Sequence, residues 1–220
     1  MKAVLFDVDG TRIDSDDLHA RAWQEALADF GYEVEFEAVR SQIGKGGDQL
    51  MPVFVPKDDL ERRGEELETF RGDLFKRKYL SQVRPFPKVR ELFQRLRAED
   101  KTIVLASSGK EDEVKRYMEI AGIADLIDAS TTSDEVERSK PYGDIFAAAL
   151  AKAAPARAEE ALVIGDTPYD AQAAGKVGLR TVGVLCGGFP EADLRAAGCS
   201  AIFRDPADLL ARYEQSPLAD

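Results

Sequence analysis

The chain has 220 residues, 44% hydrophobic and 32% charged, enough for one good core or a core with a smaller companion, and a composition that argues against disorder. Its net charge of −11 argues against nucleic acid or an anionic membrane surface as partner, although a local cluster of donors could still hold a small anion. Two cysteines, Cys186 and Cys199, lie outside any CxxC or metal-ligand spacing. With no apolar run near the roughly 18 residues of a membrane span and no secretory signal, they give the expectation of a soluble, cytoplasmic protein.

KAVLFDV at 2–8 reads as a buried strand with Asp7 near its end and Asp9 two residues on. A helix over 16–30 follows, with Leu18, Ala22, Leu27 and Phe30 at helical spacing and Ser15 as N-cap; Asp14, Asp16 and Asp17 read as helix-start acids. Gly44-Lys45-Gly46-Gly47 lacks the spacing of a nucleotide loop. It is either a loop overhanging the site, with Lys45 reaching a substrate anion, or an ordinary connection. A charged helix over 57–80, the turn-rich VRPFPK at 83–88 and the helical VRELFQRLRAED come next. Strands then alternate with helices: KTIVLAS at 101–107, a helix at 110–121, LIDAST at 126–131, a helix from Pro141 to 153, and EALVIGD at 160–166. A helix at 168–177, RTVGVL at 180–185, AIF at 201–203 and a last helix near 206–214 complete the pattern. It predicts an α/β fold, a Rossmann-like parallel sheet with helices on both faces, plus a small helical cap inserted after the first strand. The expected division is 1–14 with 84–220 as the core and 15–83 as the cap.

In such sheets ligands bind at the carboxyl ends of the strands. Asp7, Asp9, Ser107, Ser108 and Asp166 all fall on that rim, and Lys140, immediately before a Pro141 that suits the first turn of the next helix, is expected on the same edge. Carboxylates that face one another in a crevice need a cation or a proton between them. A hard ion such as Mg²⁺ takes one or two carboxylates and substrate phosphate, whereas the single histidine gives no zinc-type cluster. Hydroxyls at Thr11 and Ser107, backbone N–H groups around Gly10 and the Lys140 ammonium would complete a phosphate cradle. Read locally, Ser107 and Ser108 could instead cap the next helix, and Asp170 could be a first-turn acid.

These motifs resemble those of the haloacid dehalogenase superfamily, in its phosphatase branch with a helical cap. Asp7-Val8-Asp9-Gly10-Thr11 matches the family's first motif, Ser107 the second, Lys140 in SKP the third, and GDTPYD with Asp166 and Asp170 the fourth. The resemblance implies a Mg²⁺-dependent phosphatase acting on a small phosphorylated metabolite, with a monomer or weak homodimer expected. Asp7 would be the nucleophile and Asp9 the acid and base, while Asp7, the Asp9 carbonyl and Asp166 would hold Mg²⁺. Thr11 and Ser107 would contact the phosphoryl group, Lys140 would offset its charge, and Asp170 would be a nearby or outer ligand. His19 resembles a cap-hinge histidine of beta-phosphoglucomutase relatives that assists sugar-phosphate chemistry; the alternative is a partly buried histidine with a local hydrogen bond. Arg12 stands where the family has an aliphatic residue, and is expected either to bind substrate or to lie in solvent. The loop at 44–47 lacks the arginine with which sugar mutases grip a second phosphate, which weighs against a mutase. A non-catalytic, metal-binding scaffold is the remaining alternative.

Overall fold

A computed structural model describes residues 1–220. Strand β1 (Ala3–Phe6) is buried along its whole length. Its side chains alternate: Val4 and Phe6 join one apolar cluster with Leu92, Phe93 and Leu209, while Ala3 and Leu5 join another with Phe146, Ala149 and Ala173. Helices on both faces therefore explain why the strand is an unbroken apolar run.

The chain next forms β2 (Ile13–Asp14), then helices α1 (Asp16–Asp29), α2 (Phe36–Arg40), α3 (Gly47–Phe54) and α4 (Lys57–Lys78), and returns through β3 (Arg84–Pro85). Strands β2 and β3 pair antiparallel, Ile13 with Pro85 and Asp14 with Arg84, at the two chain crossings between the sheet and the four helices. Those helices and their loops share a cluster of their own, from Ala20 to Leu74, centred on Trp23, Leu27, Leu50 and Leu67. The remaining elements are α5 (Val89–Ala98), β4 (Thr102–Ala106), α6 (Glu111–Ala121), β5 (Ala129–Thr131), α7 (Asp144–Lys152), β6 (Ala161–Gly165), α8 (Pro168–Lys176), β7 (Arg180–Val184), α9 (Glu191–Ala196), β8 (Cys199–Phe203) and α10 (Pro206–Ala211).

The main sheet is six-stranded, parallel, in the order β5-β4-β1-β6-β7-β8. Winding runs outward from β1 through β4 to β5, then crosses back to β6, so the switch of direction lies between β1 and β6. No helix is long and apolar enough to cross a membrane.

Three local expectations shift. Strand β5 starts at Ala129, because Ala124–Leu126 turn into a 3₁₀ helix and Asp128 accepts a hydrogen bond from the Ile103 N–H at 2.8 Å. Helix α7 starts at Asp144, so Pro141 is outside its first turn; the Tyr142 N–H instead closes a turn on the Ser139 carbonyl at 3.0 Å. Helix α3 starts at Gly47, the last residue of the 44–47 stretch, and runs through 48–54, for which no element is expected, since its glycines and internal Pro52 mask the buried pair Leu50 and Met51.

Candidate active site

Asp7 follows β1 and Asp166 follows β6, on either side of the switch point. The Asp7 N–H donates to the Ile164 carbonyl at 2.9 Å, which ties the end of one strand to its neighbour. Lys140, wholly buried, bonds to Asp7 Oδ1 and lies 2.8 Å from Asp170 Oδ1. Thr11 Oγ1 stands between the carboxylates, 2.7 Å from Asp166 Oδ1 and 3.1 Å from Asp7 Oδ2. Asp7, Asp166 and Asp170 each offer an oxygen within 4.8 Å of the others. Asp170 Oδ2 accepts from the N–H and hydroxyl of Thr167 in the cap of α8, which sets Oδ1 against Lys140 as an ion pair without hydrogen-bond alignment, so Asp170 orients the lysine.

Burial pushes Asp7 up to about 6, with Asp170 and Asp9 adding to the rise and Lys140 opposing it. Burial followed by the neighbouring carboxylates of Asp16, Asp7 and Asp170 holds Asp166 well above the ordinary range. For Lys140, burial pulls the ammonium down, but Asp170 and Asp7 outweigh it and hold it above its usual value. Asp166 Oδ2 is buried and has no hydrogen-bond partner. A Cβ at Gly10 would stand 2.2 Å from that oxygen, and one at Gly187 1.8 Å. An all-oxygen donor set with one carboxylate oxygen left free between two glycines fits a hard divalent cation such as Mg²⁺.

Asp9 faces the same cleft by a different route. Its Oδ1 accepts from Ser15 Oγ at 2.5 Å and lies 3.0 Å from His19 Nε2. The guanidinium of Arg71, on α4, meets His19 Nδ1. A guanidinium only donates, so Nδ1 accepts and Nε2 carries the hydrogen that Asp9 receives. The ring is stacked on Phe75 at 4.1 Å, and Tyr117 Oη lies 3.0 Å from Nε2. Burial raises Asp9, but His19, Ser15 and Arg71 outweigh it and leave this carboxyl below its ordinary value. His19 is thus buried and bound to Asp9, close to the local-bond alternative.

Four expectations need correction. Arg12 neither binds substrate nor lies in solvent: it is 2% exposed, with Nε donating to the Asp7 carbonyl at 2.7 Å and the guanidinium 6.0 Å from the Phe6 ring and 5.8 Å from that of Phe93. The Gly10 N–H is committed to the Ile13 carbonyl at 2.8 Å, closing a tight turn at φ +66, and is unavailable to a phosphate. The Thr11 hydroxyl is taken up between two carboxylates. Asp16 is more than a helix-start acid, because its carboxylate is buried, 3.2 Å from Arg40 Nη2. Burial pushes it up to about 8, Arg40 opposing the rise and Asp9 and Asp7 adding to it. Only the fold brings Asp16 beside Asp166, so no local spacing signals it.

A cleft of about 170 Å³ opens over these groups, lined by Asp7, Asp9, His19, Lys45, Arg71 and Ser108 among others. The Lys45 amine bonds to Gln42 and lies 4.7 Å from the Tyr169 ring centroid. Ser108 Oγ donates to the Gly44 carbonyl at 3.4 Å, so the 44–47 loop overhangs the sheet edge. Ser107 Oγ accepts the Gly109 N–H at 3.0 Å, stabilising the turn before α6.

A family model described as haloacid dehalogenase-like hydrolase matches residues 4–184. The phosphoglycolate phosphatase of Aquifex aeolicus is 28% identical over 188 residues, covering 85% of this chain and 86% of the relative. Pyrophosphatase PpaX of Oceanobacillus iheyensis is 24% identical over 184 residues, covering 84% and 83%. Among solved structures, a hydrolase from Pseudomonas syringae superposes with a TM-score of 0.88 at 29% identity, covering 98% of this chain and 99% of that one.

Proposed function

The chain belongs to the haloacid dehalogenase-like hydrolases, and from that membership we propose that it is a Mg²⁺-dependent phosphatase that cleaves a small phosphomonoester through an aspartyl-phosphate. The observation that carries the reading is the pairing of Asp7 with the buried Lys140 at the switch point, beside an Asp9 that faces the same cleft. An Asp7 oxygen attacks phosphorus in line, forming the O–P bond as the ester P–O bond breaks, and Asp9 gives its proton to the leaving oxygen. Asp9 then takes a proton from the water that attacks the intermediate, which frees Asp7 and inorganic phosphate. Asp9 is held below its ordinary value by its partners, and an arriving phosphate dianion favours the protonated form that the first step needs. Lys140 steadies Asp7 and offsets phosphoryl charge, with Asp170 orienting it. Asp7, the Asp9 carbonyl and Asp166 would hold Mg²⁺, which would neutralise charge on the transferring oxygens. Residues 15–83 act as the cap that closes over the bound ester and excludes water, with Lys45 set to meet its far end.

A phosphate-release screen tests this, run with and without Mg²⁺ beside Asp7→Asn. Phosphoglycolate and pyrophosphate, named for relatives, head the compounds, with hexose phosphates after them. Release that needs Mg²⁺ and vanishes in Asp7→Asn is expected. Equal turnover by the variant sinks the nucleophile assignment, an isomerised sugar phosphate in place of free phosphate points to a mutase, and no release from any compound favours the scaffold.

A further inference from the structure

Asp16 opens α1, and the adjacent Asp17 shows what a helix-start acid needs: an exposed carboxylate near the helix N-terminus. Asp16 does not follow that pattern. It is 4% exposed, and its Oδ2 has no hydrogen-bond partner; Arg40 Nη2 lies 3.2 Å away as an ion pair without hydrogen-bond alignment. A Cβ at Gly10 would stand 2.6 Å from this oxygen and 2.2 Å from the equally unpartnered Asp166 Oδ2. Two buried carboxylate oxygens with no hydrogen-bond partner thus flank the same bare face of Gly10. Such a pair is costly unless a proton, a cation or water bound to a cation satisfies both.

We propose that Asp16 is a fourth carboxylate of the cation site, a positioning residue beyond the direct ligands that accepts hydrogen bonds from water on the metal. This rests on the Mg²⁺-phosphatase reading. Mg²⁺ retains several waters, and acceptors in its outer sphere set their orientation and commonly change metal affinity by 10- to 100-fold. Arg40, which also bonds the Gly187 carbonyl, is the counter-charge that shields Asp16 from the cap side.

Calorimetric titration of the full chain with Mg²⁺ tests the assignment, independent of turnover. Asp16→Asn should weaken binding by about tenfold or more. Asp17→Asn should stay within twofold of the wild type, and Arg40→Met, which removes a competing cation, should bind more tightly. Without metal, Asp16→Asn should melt no lower than the wild type, an amide of nearly the same shape replacing a buried carboxyl whose Oδ2 lacks a hydrogen-bond partner, and should gain less on adding Mg²⁺. Asp16→Asn binding within twofold of the wild type with an equal rise in melting temperature overturns the proposal. If Asp16→Asn does not fold, Arg40→Met decides, and unchanged affinity there overturns it. A wild type that binds no Mg²⁺ removes the metal-dependent reading along with the inference.

Discussion

At the scale of single residues, the site is a problem of buried charge. Arg12 shows it outside the ligand set, since burial lowers its guanidinium to about 10, which still leaves it charged near neutrality. Its Nη2 has no partner, so the side chain holds the Asp7 carbonyl at the cost of an unsatisfied donor. Replacing a buried charge by an apolar side chain of similar volume is often neutral or stabilising, whereas truncation leaves a cavity. Arg12→Met should therefore melt within a few degrees of the wild type, and Arg12→Ala should lose about 2–4 kcal/mol, both read by thermal unfolding. Equal losses in the two variants would mean that the bond to Asp7, not the packing, carries the site. The sequence made Asp7, Asp9, Lys140 and Asp166 legible because each stands at a strand end or beside a proline in a recognisable motif. Arg12 and Asp16 were not legible, because polarity in a string reads as surface. Burial against Phe93, or beside Asp166, comes from chain segments far away in sequence.

At the scale of elements, length and periodicity decided what could be read. The long α1 and α4 and the buried strands carry several turns or a full apolar run. Helix α2 has five residues and buries only Val39, and α9 has six and buries only Leu194, too little to show a period. Helix α4 also carries a cost the sequence does display: Gly72, in its interior, where glycine is less favourable than alanine by roughly 0.5–1 kcal/mol. A Cβ there would meet nothing within 4 Å, yet Gly72 lines the cleft. Gly72→Ala should raise the melting temperature by about 1–4 °C. If that gain comes with a higher KM, substrate uses the space above Gly72; if KM is unchanged, the glycine is only a weak point of the helix.

At the scale of the whole molecule, the decisive feature is how α1–α4 sit on the sheet edge. Their apolar cluster, from Ala20 to Leu74, is distinct from those that flank the sheet, yet Ala22 of α1 and Phe75 of α4 join the sheet-side cluster of Phe6 and Tyr117, so the contact between the two bodies has an apolar part with polar pairs around it. Asp48 Oδ2 accepts the Ser139 N–H at 3.1 Å, Tyr169 Oη donates to the Ser41 carbonyl at 2.6 Å, and Lys76 meets Asp112 at 2.6 Å. These polar contacts exchange readily with water, which suits the proposed opening and closing of the cap. Gly46 is where closure leaves no room: a Cβ there would stand 2.2 Å from Ser139 Oγ. Its φ of −76 is open to any residue, so alanine would strain the closed contact and leave the backbone of α3 unstrained. Gly46→Ala should therefore lower kcat/KM roughly tenfold to a hundredfold, through a misplaced cap, while the melting temperature stays within about 2 °C. Trimming the other side, in Gly46→Ala with Ser139→Gly, should recover part of the loss. Full activity in Gly46→Ala alone would show that the closed contact at Ser139 plays no part in turnover, and that the cap works from a more open position.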